Sequence, residues 1–167
     1  MPVFVFDDKQ SMTLKTTIHE KIVLKGIISE LRTVCAKIMS LGKTLNYSGD
    51  DLFAIHLAME EAIVNAVKHG NKQDTNKTVS IEYDVSPEKM DISVADEGRG
   101  FDSTHLADPR LSENIYKMGG RGVLLIKSYM DEVEYSKTGN TVRMLKFNSR
   151  HGKTGGQQNG LDSSTSS

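Results

Sequence analysis

Apolar positions along this chain change period several times, and each change marks an element. From Met12 to Ile18, β-branched and polar residues mix as in a strand. From Leu24 onward, Ile27, Ile28, Leu31, Val34, Cys35 and Ile38 recur at helical spacing, which predicts a helix that Gly42 ends. A second helix is predicted from Ser48, with Asp51 placed three residues on as in a capping box, to about Gly70; its core face holds Leu52, Ile55, Met59, Ile63 and Ala66. The period then drops to two. Val79, Ile81, Tyr83 and Val85 alternate, as do Met90, Ile92 and Val94, around a turn at Ser86-Pro87-Glu88-Lys89, which reads as a β-hairpin. Beyond a polar stretch from Ser103 to Met118 lie an apolar helical segment, Val123 to Met130, and two strands, Val133 to Ser136 and Thr141 to Phe147. The order β, α, α, β, β, loop, α, β, β predicts the α+β class: a two-layer α/β sandwich whose mixed, mainly antiparallel sheet is covered by helices on one face.

Composition narrows the picture. A chain of 167 residues with 37% hydrophobic content suits one core. The expected organisation is an arm or edge strand over 1–11, one domain over 12–148, and a disordered tail over 149–167, where Leu161 is the only large apolar residue. Lys and Arg number 21 against 22 Asp and Glu, so the net charge of -1 gives no footprint for direct nucleic-acid or membrane binding. The single cysteine, Cys35, falls in an apolar helical row and reads as a buried thiol. No apolar run approaches the roughly 20 residues of a membrane helix, and the first residues lack a basic start, so the sequence reads as cytoplasmic.

Three constellations carry candidate chemistry. On the second predicted helix, Glu61, Asn65 and Lys68 recur at helical spacing, which stands a carboxylate and a carboxamide about 6 Å apart along one face. Such a row suits a hydrated magnesium ion and its phosphates, since magnesium takes oxygen donors and keeps several waters; it equally suits a solvated polar face. In Asp96-Glu97-Gly98-Arg99-Gly100-Phe101-Asp102, Asp96 continues the inward phase of Met90, Ile92 and Val94. An acid aimed at the core needs donors, and the exocyclic amine of a flat base is one; a wet strand-ending turn is the alternative. Third, Gly119-Gly120-Arg121-Gly122 precedes the helix expected near Val123, and exposed amides at a helix start attract anions, though a flexible loop has the same composition. Neither Gly-Lys-Thr sequence is a P-loop, because Lys37 and Phe147 stand where the first glycine is needed.

In this order and on these elements, the three motifs resemble the N, G1 and G2 boxes of GHKL (Bergerat-fold) ATP-binding domains. The resemblance spans about residues 12–148, and the Met130-Asp131-Glu132-Val133 ending looks most like the anti-sigma-factor serine/threonine kinases. It implies ATP and Mg2+ as cofactors, Glu61 as the base near the attacking hydroxyl, Asn65 as the magnesium ligand and Asp96 as acceptor for the adenine amine. It further implies Gly98 and Gly100 flanking the base, an ATP lid from Ser103 to Met118, Gly119, Gly120 and Gly122 at the phosphates, and Thr141 near adenine. Lys68 and His69 fit the end of the N box either as phosphate contacts or as cations at a helix C-terminus. Arg121 departs from a small or apolar glycine loop and either pairs with a phosphate or points to solvent. The implied partner is an anti-anti-sigma (STAS-type) protein, with a sigma factor and a homodimer as further associations. Competing readings are a nucleotide-responsive module that sequesters a partner without phosphorylating it, and a detached histidine-kinase catalytic domain.

Overall fold

The structure, a computed structural model, describes residues 16–100 and 120–151. The expected N-terminal arm, the expected lid, Gly119 and residues 152–167 of the expected tail lie outside the described residues. The elements are β1 (Ile18–Lys25), α1 (Ile28–Thr44), α2 (Gly49–Val64) running into a π-helical turn (Asn65–Gly70), β2 (Thr78–Val85), β3 (Lys89–Asp96), α3 (Gly120–Tyr129), β4 (Glu132–Tyr135) and β5 (Thr141–Phe147). The five strands form one sheet in the order β1-β2-β3-β5-β4. Every pairing among the described strands is antiparallel, where the sequence predicts a mixed, mainly antiparallel sheet.

Alternation places Val79, Ile81, Tyr83 and Val85 of β2, Met90, Ile92 and Val94 of β3, and Val142 and Met144 of β5 in the buried layer. The helices supply the other half: Leu31, Val34, Cys35 and Ile38 from α1, Ile55, Met59 and Ile63 from α2, and Ile126 from α3. Ile55, Met59 and Ile63 recur every four residues with at most 1% exposure, so α2 is the central helix, and truncating any of them to alanine removes about 2–5 kcal/mol. Cys35 is buried as expected, and burial pushes its thiol up to about 12. No described helix is long and apolar enough to cross a membrane.

Two boundaries differ from the sequence pattern. Of the strand expected over Met12 to Ile18, residues 12–15 lie outside the described residues; the described strand starts at Ile18 and runs to Lys25, so Leu24 belongs to β1 rather than to the first helix. Leu24 happens to stand at helical distance from Ile27 and Ile28, but the alternation of Ile18, Glu20, Ile22 and Leu24 satisfies the ladder to β2, from Ile18 opposite Val85 to Lys25 opposite Thr78. Nor does Gly42 end α1. It is buried inside the helix, where a Cβ would lie 2.5 Å from Met90 Cε and 2.6 Å from Leu52 Cδ2. The glycine lets α1 pack closely there, and α1 continues to Thr44.

The predicted capping box opens α2. Asp51 N donates to Ser48 Oγ at 3.0 Å, and Ser48 N donates to Asp51 Oδ2 at 3.3 Å. The same Oδ2 accepts from Ser149 N at 3.0 Å and Ser149 Oγ at 2.7 Å, so Ser149 is a structural residue and not the start of the expected tail. Burial pushes the Asp51 carboxyl upward, but hydrogen bonds from Ser48 and Ser149 outweigh it and hold the pKa below the ordinary aspartate range. A carboxyl depressed on folding stabilises the protein above its unfolded pKa of about 3.9 and loses that contribution as pH falls through the folded value. Asp51→Ala is therefore expected to cost about 1–3 kcal/mol in urea unfolding at neutral pH, with the difference from the parent shrinking below about pH 4.

Candidate functional site

The site is built where α2 changes geometry. Past Val64 the helix widens: Asn71 N donates to Ala66 O at 2.8 Å, the five-residue spacing of a π turn. Lys72 and Gln73 then take positive φ values of 53° and 60° as the chain reverses toward β2. Because each residue of a π turn rotates the chain less than an α-helical step, Lys68 falls behind the row that Glu61 and Asn65 begin. Lys68 and His69 are both exposed.

Glu60 and Glu61 adjoin in sequence and differ in surroundings. Glu60 is held by Arg32, whose Nε donates to both carboxylate oxygens at 3.0 Å. The half-buried Glu61 makes no hydrogen bond among the described residues and lies against Gly122 of α3, where a Cβ would overlap its Oε1. Tyr135 is close by: burial first, and the Glu61 charge second, push its phenol up to about 12. Asn65 is half-buried, one turn beyond Glu61, and its carboxamide has no hydrogen bond among the described residues. The glycine run that composition places ahead of a helix is itself helical, with Gly120, Arg121 and Gly122 in the first turn of α3. The reason is steric. With no Cβ at Gly122, this turn seats directly on the Glu61 carboxylate. Arg121 is exposed.

At the other end of the π turn, Asp96 closes β3 and points inward as its phase predicts. Its carboxylate packs against Gly70, where a Cβ would overlap both oxygens, and its Oδ1 accepts the Gly98 amide at 2.7 Å. Burial raises the carboxyl pKa, while the Gly98 amide and the Lys77 charge oppose the rise without cancelling it. Asp96 Oδ2 makes no hydrogen bond among the described residues and is available to a ligand donor. Gly98 itself abuts the carbonyl of Gly70, and Gly100, at φ 68°, abuts the carbonyl of Thr138 in the β4–β5 turn. Asp96 N donates to Asn140 O at 3.0 Å, and Thr141 pairs with Ala95, one residue before Asp96.

One residue that the sequence pattern does not single out organises this end. Asn71 is 1% exposed; its Nδ2 donates to Thr78 O at 2.9 Å, and its Oδ1 accepts from Glu97 N at 2.9 Å. Glu97 reaches back, its Oε2 accepting from the backbone N and the hydroxyl of Thr78. No spacing rule marks Asn71. Its only sequence signal is an asparagine just past the glycine that ends a helix.

One helical rod thus joins a carboxylate seated on a helix N-terminus, with a carboxamide one turn on, to a half-buried carboxylate with an open acceptor. This arrangement suits an elongated ligand with an anionic end and a flat, amine-bearing end. Residues 28–146 match the family described as Histidine kinase-like ATPase domain. The chain is 33% identical over 123 residues to serine-protein kinase RsbW of Bacillus subtilis, an alignment covering 66% of this chain and 73% of that protein. It is 35% identical over 106 residues to serine-protein kinase RsbW of Staphylococcus aureus (strain MW2), covering 59% and 67% respectively. Among solved structures, one of the RsbU and RsbW domains of a Mycobacterium tuberculosis protein superposes with a TM-score of 0.54 at 18% identity. That match covers 80% of this chain and 32% of the larger one, so the chain spans about a third of that protein.

The glycine contacts separate two kinds of substitution. Gly98→Ala must displace backbone at Gly70 and is expected to cost about 1–3 kcal/mol in urea unfolding. Gly122→Ala meets the Glu61 side chain from Cγ to Oε1 rather than backbone, so its stability is expected to fall less, staying within about 1 kcal/mol of the parent.

Proposed function

The chain belongs to the histidine kinase-like ATPase family and within it to the anti-sigma-factor serine kinases, and on that premise we propose that it transfers the γ-phosphoryl group of ATP to a serine or threonine hydroxyl of an anti-anti-sigma, STAS-type partner. A sigma factor is the second partner this reading supplies. The supporting observation is the continuity of α2 with the π turn, which joins the Glu61–Asn65 pair to the seat of the half-buried Asp96 carboxylate.

Each proposed role rests on the chemistry of the side chain and its surroundings. Magnesium, when bound, neutralises charge on the phosphates, and it favours oxygen donors with several retained waters. The half-buried Asn65 carboxamide, without a hydrogen bond among the described residues, fits that requirement as the protein's ligand. Glu61 is the group that orients or deprotonates the attacking hydroxyl: it is half-buried beside Asn65, and the neighbouring carboxylate of Glu60 is occupied by Arg32. Asp96 Oδ2 accepts the exocyclic amine of adenine, with Gly98 and Gly100 flanking the base; their missing side chains let this loop pack on the Gly70 and Thr138 carbonyls. Amides at the start of α3, from Gly120 to Gly122, face the phosphates; this role, with Lys68, His69 and Arg121 at the rim, follows from the positive end of the helix.

Glu61→Gln keeps the shape and removes the base. Phosphoryl transfer to the partner serine is expected to fall by about 10²–10⁴-fold, while ATP affinity, read by fluorescent-nucleotide competition, changes less than about twofold. Transfer at the parental rate removes Glu61 from the reaction. Asp96→Asn replaces an acceptor with a group that also donates, and ATP affinity is expected to fall by about 1–3 kcal/mol. In the parent, the acceptor is the ionised form and its pKa is raised, so ATP binding is expected to weaken with falling pH from above the ordinary aspartate range. A pH titration of ATP affinity checks the sign.

A further inference from the structure

Asp96 is the group through which the base would be read, yet none of its own bonds fixes its distance from the π turn. Among the described residues its side chain holds only the amide two residues on, and its backbone N is tied to Asn140 in the β4–β5 turn. The link to the helix side is Asn71. This side chain, 1% exposed, spans from the carbonyl that starts β2 to the amide that follows Asp96, with both bonds at 2.9 Å. Thr78 in turn holds the Glu97 side chain, so residue 97 is pinned at both its amide and its carboxylate. We propose that Asn71 is a positioning residue for base recognition: by fixing the amide of Glu97 it sets the Asp96 carboxylate against Gly70 at the place where an adenine amine, and not a guanine carbonyl, is accepted. This inference rests on the reading of Asp96 given above.

The physics is that of a short lever. Residues 96–98 close tightly, with Gly98 against the Gly70 carbonyl and its amide on Asp96, so a shift of the Glu97 amide moves the carboxylate with it. Removing the Asn71 carboxamide leaves an N–H and a C=O to find other partners, and the loop is displaced toward water to hydrate them. An acceptor displaced by a fraction of an ångström loses its discrimination between a donor and an acceptor on the base before it loses the ligand altogether.

The test is nucleotide binding by the full chain with a fluorescent ATP analogue, displaced by ATP and by GTP. It compares the parent with Asn71→Ala, Asn71→Asp, Asp96→Asn and, as a control, Asn148→Ala. Asn148 is likewise buried, and its Nδ2 donates to Pro87 O at 2.8 Å, at the opposite end of β3, so its loss destabilises the fold without touching the Asp96 loop. Asn71→Asp keeps the acceptor for Glu97 N, loses the donor to Thr78 and sets a buried carboxylate oxygen against the Thr78 carbonyl. The expected result is an ATP affinity about tenfold lower and an ATP-over-GTP preference largely lost in Asn71→Ala, with the preference retained in Asn71→Asp and in Asn148→Ala. An unchanged preference in Asn71→Ala overturns the proposal, as does a loss in Asn148→Ala equal to that in Asn71→Ala. Should Asn71→Ala not fold, Asn71→Ser, whose hydroxyl is too short to span Thr78 O and Glu97 N, decides: a lost preference supports the proposal and a retained one overturns it. Parental ATP affinity in Asp96→Asn would instead overturn the base-acceptor reading itself, whereas a weakened Asp96→Asn beside a parental Asn71→Ala removes only the role of Asn71.

Discussion

A carboxylate can be taken out of water only where backbone dipoles come close enough to stand in for it, and in this chain that condition is met by the missing side chains at Gly70 and Gly98. The two glycines let the end of α2, the end of β3 and the loop beyond it converge on Asp96. Any Cβ at either position overlaps the carboxylate or the backbone around it. The spacing between helix and sheet at this end is therefore set by the van der Waals thickness of peptide groups, and the acid keeps one oxygen bonded to Gly98 N and one open among the described residues. At the other end of the same rod, Gly122 plays the matching part for Glu61.

Buried asparagines hold the two ends of the layer, and they do so by joining segments that no ladder connects. Asn71 ties the π turn to β2 and to the loop after β3. Asn148 ties the end of β5 to Leu45 and Pro87, beside the α2 cap that Ser149 completes. A carboxamide offers a donor and an acceptor without a charge, so it satisfies irregular backbone at low desolvation cost. An ion-pair network, Arg143 with Asp91 and Glu134, lies instead on the sheet face away from the helices, where water access leaves it contributing little to stability.

What the sequence made legible was local. The Ser48–Asp51 cap, the stripe of Ile55, Met59 and Ile63, the alternation in β2 and β3, and the inward phase of Asp96 are each decided within one element, and each appears in the fold as expected. What it hid was decided across elements. Leu24 fits a helical period and joins a strand because β2 supplies its partners. Gly42 resembles a stop and is a packing contact with Met90 and Leu52. Gly120 and Gly122 resemble a loop and are helical because α3 sits on Glu61. Ser149 has the composition of a tail and is bound to an aspartate far back in the chain. The π turn leaves the residue types of an α-helix unchanged and shows only in its hydrogen bonds, and Asn71 gains its importance from that turn.

The lone thiol has a practical corollary. Cys35 sits at 1% exposure on the inner face of α1, and burial keeps it protonated at neutral pH. Alkylating reagents and oxidants need an accessible thiolate, so modification must wait until α1 lifts from the layer beneath it. The chain thus carries a built-in chemical clock for the breathing of its interior, readable by mass without any engineered label, and a nucleotide that tightens the domain would slow that clock.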